Sequence, residues 1–314
     1  MNKICFLIGT AALVFSVFMS CNGVTGKESE DDVTEISETP DSEVPDNGTP
    51  DYTKPDIETP DGQTIIINET GFESGIDESE YTMDSWISDG FHLSWVQGFN
   101  QSRAHFDSEQ AHSGSASLRI DYPANTYCPG ESGAQAPLTF SPQNEVYVSY
   151  WLKFSGNFDW GGTNEGGKLP GLAGGDLCSG GGTCDGTNGF TARLMWRPGG
   201  RAILYLYDMD KASTYPEDRD LITGSGVVYF EKDEWYQIIE RVKINTGDNN
   251  DGEVQIWING EEALFCSGLR FVNDGSMVDT FYFSTFHGGG DSSWAPSEDC
   301  YIWFDDIRIY CMTD

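Results

Sequence analysis

Phe190-Thr191-Ala192-Arg193-Leu194-Met195-Trp196-Arg197, Pro198-Gly199-Gly200, Arg201-Ala202-Ile203-Leu204-Tyr205-Leu206-Tyr207 is the stretch whose reading decides the fold. Two runs of strand-forming residues flank a loop whose glycines can take positive φ, which predicts a hairpin with a three-residue loop. That loop sets Arg197 opposite Arg201, Arg193 opposite Tyr205 and Thr191 opposite Tyr207. Side chains alternate with period two, so Thr191, Arg193, Tyr205 and Tyr207 share one face. Met195, Ile203, Arg197 and Arg201 fall on that face too, the arginines nearest the turn. Ala192, Leu194, Leu204 and Leu206 line the other face, which is wholly apolar. A loop one residue shorter or longer slips the register and breaks the constellation. The polar face fits either a solvated outer surface with cross-strand aromatic pairs or a site.

Outward from this hairpin the same pattern repeats. Val146, Val148, Tyr150, Leu152 and Phe154 alternate with Tyr147, Ser149, Trp151 and Lys153. Tyr236, Ile238, Val242 and Ile244 alternate with Gln237, Arg241 and Lys243. Val254 to Ile258 runs into Asn259-Gly260, a type I′ hairpin signal. Phe281 to Phe286 and Tyr301 to Tyr310 are further strands, and no long run of helical period occurs. The expected fold is all-β: an antiparallel two-sheet β-sandwich of jelly-roll type. Trp235 to Gly260 also resembles the paired strands of concanavalin-like carbohydrate-binding sandwiches.

Composition agrees. The chain has 314 residues with 37 Gly and a formal charge of −34. This excludes a coiled coil and argues against nucleic-acid binding, which needs a basic face to displace counterions. Aromatic residues, at 13%, are too many for a disordered chain. Residues 22–63 hold 13 acids and 2 bases; residues 64–314 hold 38 and 14, a net −24. Such a domain should repel a polyanion at long range, so any polyanionic substrate requires a local basic cleft. Lys168, Arg193, Arg197 and Arg201, with Lys153, are the cations available for one.

The amino terminus reads as an address. Lys3 precedes an apolar run from Ile4 to Met19, shorter than a membrane span and typical of a secretory signal. Phe18-Met19-Ser20-Cys21 resembles a bacterial lipobox, with Phe18 in place of the usual Leu; it implies cleavage after residue 20 and acylation of Cys21. Residues 1–21 are thus expected to be a lipoprotein signal peptide. Residues 22–63, with Pro-Asp steps at Pro40, Pro45, Pro50, Pro55 and Pro60, are expected to form an acidic extended linker. Residues 64–314 are expected to form the domain. The expected location is the bacterial cell envelope, lipid-anchored at the outer membrane, with the domain outside the cytoplasm and monomeric.

Six cysteines remain after Cys5 and Cys21, and six allow fifteen pairings. Cys178–Cys184 is the one pair the sequence favours, across a flexible glycine-rich loop; zinc fits the spacing poorly. Gly162 to Lys168 superficially fits a phosphate loop. However, Leu169 stands where Ser or Thr must reach magnesium, and Pro170 disfavours the helix. Lys168, inside Gly-Gly-Lys-Leu-Pro-Gly-Leu, is left as a candidate held by turned backbone. Asp248 to Glu253 lacks EF-hand spacing and reads as an Asx-rich turn.

Gly166 to Leu172, Phe190 to Arg197, Tyr205 to Tyr207 and Phe283 to Gly289 together resemble polysaccharide lyase family 14, over about residues 65–312. The resemblance implies a β-jelly-roll lyase that cleaves an acidic, uronate-containing polysaccharide such as alginate or glucuronan by β-elimination. It implies a site of Lys168, Arg193, Tyr205 and Tyr207, with Thr191 in place of the family's usual Ser. Arg193 would neutralise the uronate carboxylate, with Lys168 assisting. Tyr207 would move the proton, with Tyr205 as its partner and its pKa lowered by nearby cations. Thr191 would contact substrate, and no metal or other cofactor is required. Beside the resemblance, Arg197 and His287 are candidate substrate contacts in the same cleft, although a lone His between an aromatic residue and glycines also fits a packing role. The competing readings are a non-catalytic carbohydrate-binding lipoprotein on the same fold, and a hydrolase with two spaced carboxylates.

Overall fold

The computed structural model describes residues 64–313. The expectations for residues 1–21, Cys21 and the linker 22–63 lie outside the described residues. In chain order the strands are β1 (Thr64–Thr70), β2 (Ala104–Asp107), β3 (Ser117–Tyr122), β4 (Ala134–Gln143), β5 (Glu145–Phe154), β6 (Gly167–Gly174), β7 (Phe190–Arg197) and β8 (Arg201–Tyr207). They continue with β9 (Arg219–Asp220), β10 (Ile222–Thr223), β11 (Gly226–Val227), β12 (Trp235–Lys243), β13 (Gly252–Ile258), β14 (Glu261–Leu269), β15 (Val278–His287) and β16 (Cys300–Met312).

These strands form two large antiparallel sheets. The six-stranded sheet runs β4-β15-β6-β7-β8-β9; the eight-stranded sheet runs β14-β13-β12-β5-β16-β3-β2, with β1 also paired to β16. Sequence neighbours β7 and β8 pair directly, whereas β15 sits between β4 and β6, a long-range insertion typical of sandwiches. The core lies where the inner faces meet. Val146, Val148, Tyr150, Leu152 and Phe154 of β5 all point inward and are buried. They face Leu172 of β6, Ala192 and Leu194 of β7, and Leu204 of β8 in the same apolar cluster.

The hairpin register is the expected one: Thr191 pairs with Tyr207, Arg193 with Tyr205 and Arg197 with Arg201. Gly199 and Gly200 take φ of 69° and 85° in the turn. A Cβ on Gly200 would lie 2.4 Å from the Phe230 carbonyl oxygen, so the turn admits no side chain there. Asn259 and Gly260 likewise both take positive φ between β13 and β14, as a type I′ turn requires.

β6 carries an irregularity that the sequence does not announce. Its register with β7 shifts between Lys168 and Gly171, and its register with β15 shifts between Tyr282 and Phe286. Leu169-Pro170 lies inside that shift, and a proline inside a sheet belongs at such a place because it has no N–H for the ladder. Two polar groups of the eight-stranded sheet reach across the core to this point. The Tyr150 hydroxyl donates to the Pro170 carbonyl at 3.0 Å, and the Leu172 N–H donates to Glu240 Oε2 at 2.9 Å.

Candidate active site

The outer face of the six-stranded sheet gathers the expected residues. Thr191, Arg193 and Met195 of β7 alternate outward, with Tyr205, Tyr207 and Ile203 opposite them on β8. Lys168 pairs with Met195 across the β6–β7 ladder, so the bulge turns its amine onto the same face. Its Nζ lies 3.4 Å from Met195 Sδ and 4.6 Å from the Tyr205 ring centroid. The glycine-rich segment that resembled a phosphate loop is a loop that runs into β6 at Gly167, with no helix after it.

Arg193 is held in a frame that the hairpin alone did not reveal. Its Nη1 donates to Ser284 Oγ at 3.1 Å, and its guanidinium lies 5.1 Å from the Tyr282 ring centroid. Tyr282 and Ser284 both donate to Gln135 Oε1 on β4. Arg193 Nε is buried without a hydrogen-bond partner among the described residues. Neither Arg193 nor Lys168 forms a salt bridge among the described residues, in a domain dense with carboxylates. By contrast, Arg197 grips Asp218 with its Nε at 3.0 and 3.1 Å and its Nη2 at 2.5 Å, and Arg201 is paired with Asp218 and Asp220.

Several expectations are corrected here. Arg197 is occupied by Asp218 rather than open to a ligand. Lys153 lies on the other sheet, bonded to Gln110 Oε1, and adds nothing to this face. Of the cations expected for a basic cleft, Lys168 and Arg193 remain on this face without a carboxylate partner among the described residues, and Lys211 adds an amine 5.6 Å from the Tyr207 ring centroid. Thr191 is fully buried, and its hydroxyl donates to the Cys178 carbonyl at 3.1 Å rather than facing a sugar. His287 points inward between the sheets. Its Nε2 donates to the Asp159 carbonyl at 2.7 Å, and its ring stacks on Phe158. Burial pushes its pKa down to about 4 against the pull of Asp159, so it is a neutral packing residue and not a substrate contact.

Tyr205 also differs from expectation. Burial is the main influence on Tyr205 and pushes its pKa up; a hydrogen bond with Tyr207 adds to this, and Arg197 and Arg193 do not overcome it. Tyr205 therefore keeps its proton. Lys168 moves the other way. Burial of the amine, then repulsion from Arg193 and Arg197, holds its pKa well below the ordinary lysine value, although Asp218 opposes this. The face thus presents an amine biased towards its neutral form beside phenols that can donate.

The Cys178–Cys184 disulfide is present, while Cys266, Cys300 and Cys311 are free thiols. Cys178 and Cys184 lie in one buried cluster with Met195, Ile203, Tyr205 and Tyr207. Among the described residues no cluster of His, Cys, Asp and Glu is arranged to hold a metal ion. A separate hollow of about 500 Å³ lies on the outer face of the eight-stranded sheet beside Tyr147, Trp257 and Arg241. Its arginine is paired with Glu145 and Glu253, so it offers an acidic polymer no unpaired cation.

Ser284, Tyr282 and Gln135 escaped sequence reasoning because they come from β15 and β4, distant in the chain from the hairpin. The signal available was the alternation Thr280-Tyr282-Ser284 along β15, polar on one face as in β7.

A two-sheet sandwich that sets a guanidinium without a counter-ion, a desolvated amine and two phenols on one face is equipped as a polysaccharide lyase of uronate polymers. The chain belongs to the polysaccharide lyase 14 family, whose model matches residues 110–307. Among solved structures it is similar to the alginate lyase Aly36B, at 28% identity over 78% of this chain and 96% of that one, with a TM-score of 0.63. It is similar to the PL-14 alginate lyase from Aplysia kurodai at 27% identity, covering 79% of this chain and 100% of that one, with a TM-score of 0.64. Alginate lyase vAL-1 from Chlorella virus shares the fold at 18% identity, 74% and 99% coverage and a TM-score of 0.55. No curated protein matches the chain by sequence.

Proposed function

We propose that this lyase cleaves alginate by β-elimination on the Lys168/Arg193 face. The carrying observation is that its two cations have no carboxylate partner among the described residues, while the arginines beside them are paired. A buried guanidinium with an unused N–H is suited to a sugar carboxylate, and its planar fork matches one. Alginate is favoured because Aly36B and the Aplysia kurodai enzyme, each over a quarter identical, are alginate lyases.

The reaction follows from the groups present. Arg193 binds the carboxylate of the sugar to be opened and stabilises the enolate-like charge that forms beside it. The neutral amine of Lys168 takes the C5 proton. The C5–H electron pair becomes the C4–C5 double bond, and the C4–O4 bond breaks. Tyr207 gives its proton to O4. The proton on Lys168 returns to the Tyr207 phenolate through solvent once product has left, and the site is reset. Tyr205, whose proton is firmly held, is the partner and orienter.

The reading extends to location. The lipobox-like run at Cys21 and the acidic Pro-Asp stretch support a domain tethered to the bacterial outer membrane, acting as a monomer outside the cytoplasm. An internal disulfide fits an oxidising compartment. Metabolic labelling with a fatty acid should mark the protein and be lost in Cys21→Ala; labelling that persists removes the anchor.

Incubation with alginate should raise the ultraviolet absorbance of unsaturated uronate ends, with glucuronan as the comparison polymer. New reducing ends without that absorbance mean hydrolysis. Binding with neither product means a binding module on a lyase fold. Tyr207→Phe should abolish turnover and leave sugar binding nearly unchanged; full activity in that variant removes Tyr207 from the mechanism.

A further inference from the structure

The loop closed by Cys178 and Cys184 touches the site at three points. Its Gly181 N–H donates to the Tyr207 hydroxyl oxygen at 2.8 Å. Its Cys178 carbonyl accepts from Thr191 Oγ1 at 3.1 Å, one residue pair across the hairpin from Tyr207. Its two cysteines belong to one buried cluster with Met195, Ile203, Tyr205 and Tyr207. The loop also meets the segment after β8: a Cβ on Gly181 would lie 3.3 Å from both Thr214 and Tyr215. Under this cover Tyr207 is only 1% exposed, although it belongs to the outer face of its sheet.

A phenol oxygen has one proton to give and two lone pairs to receive. Gly181 N–H fills one lone pair of Tyr207, and the Tyr205 ring stands edge-on to it at 5.5 Å between centroids. The remaining proton is then directed away from the loop, towards the face that carries Lys168 and Arg193. When that proton leaves, the charge left on oxygen is met by a backbone donor already in place. Fixed donors aimed at developing charge are among the strongest catalytic terms, one being worth ~10²–10³ in rate.

We propose that the Cys178–Cys184 loop is a positioning element of the reaction, in which the Gly181 amide orients the Tyr207 hydroxyl and stabilises its phenolate, and the disulfide holds that amide in place. This rests on the lyase reading above, with Tyr207 as the proton donor. It makes turnover depend on the redox state of the loop. Reduction consumes two electrons and two protons from an added dithiol, which is itself oxidised to a disulfide. It frees seven residues whose glycines at 180, 181 and 182 have little reason to keep one conformation.

The test compares the full chain with Cys178→Ser/Cys184→Ser and with wild type treated with dithiothreitol, thiol titration confirming each state. The expected result is a fall in kcat of ~10²-fold with KM within about twofold, while thermal unfolding stays a single transition. The alkaline limb of the kcat profile should move to higher pH, because the phenolate loses its donor; a merely structural loss would lower the profile without moving it. Reoxidation should restore the wild type, and dithiothreitol should leave the double variant unchanged. Unaltered kcat with the disulfide absent overturns the proposal, as does a change confined to KM. Elimination by the oxidised wild type is measured first, so failure of the loop proposal is distinct from failure of the lyase reading.

Discussion

Two arginines four residues apart on β7 meet opposite fates, and that contrast carries the functional reading. Arg197 stands near the turn, where Asp218 reaches it with both oxygens; Arg193 stands four pairs further in, where its neighbours are a serine hydroxyl and a tyrosine ring. Charge alone does not separate them, since both are guanidiniums on one face. Their partners do. Arg197→Ala should therefore leave kcat within about threefold, whereas Arg193→Ala should cost ~10²-fold or more, because one donor to developing charge is worth that much. Steady-state kinetics on alginate decides it, and equal losses would mean that Arg197 releases Asp218 to take substrate. The sequence placed both arginines on the right face through the alternation of β7. It could not tell them apart, because Asp218 and Ser284 come from β9's approach and from β15. His287 shows the same limit: Phe286-His287-Gly288 reads as a cleft edge, and only the meeting of the two sheets puts the ring against Phe158 and Trp196.

At the scale of the element, the bulge in β6 is the device that turns Lys168 onto the face, and Glu240 of β12 braces it from behind. Glu240 is fully buried between the sheets, and burial pushes its carboxyl well above the ordinary range despite the Leu172 N–H. Gly171 beside it is obligatory, since a Cβ there would lie 2.0 Å from the Ala192 carbonyl oxygen and 2.9 Å from Glu240 Oε2. The sign of the linkage follows. Above about pH 4.5 the unfolded chain releases this proton while the folded chain keeps it, so the folded state binds more protons and stability falls as pH rises. The loss continues until the folded carboxyl itself ionises. Glu240→Gln keeps an acceptor for Leu172 and cannot ionise, so its melting temperature should fall less than that of wild type between pH 5 and pH 8. Parallel melting curves for the two proteins across that range would show that Glu240 is charged in the fold. The alternation in the sequence ran Ile238, then Val242, on the inner face, and position 240 was the gap between them. An acid at a core position is visible in the sequence, but its partner across the sandwich is not.

For the whole molecule the difficulty is charge. Residues 64–314 carry a net −24, and the substrate is a polyanion. Repulsion acts over a Debye length of ~10 Å at 0.1 M salt, whereas the contact with Arg193 is short and partly shielded from solvent. Raising ionic strength from a few millimolar should therefore increase kcat/KM on alginate, until the direct contact is screened in turn. A steady fall from the lowest salt upward would mean that attraction by the site, not repulsion by the surface, governs encounter. The sequence by itself determined the sandwich, the hairpin register and the grouping of Arg193 with Tyr205 and Tyr207. Those follow from a period of two and from a three-residue turn whose two glycines take positive φ, and both are local properties of the chain. The tertiary structure alone decided which cations stay unpaired, which phenol keeps its proton, which residues brace Lys168, and that a disulfide loop caps Tyr207. Each of these depends on burial and on partners brought from distant strands, and desolvation acts only once the sheets have closed on one another.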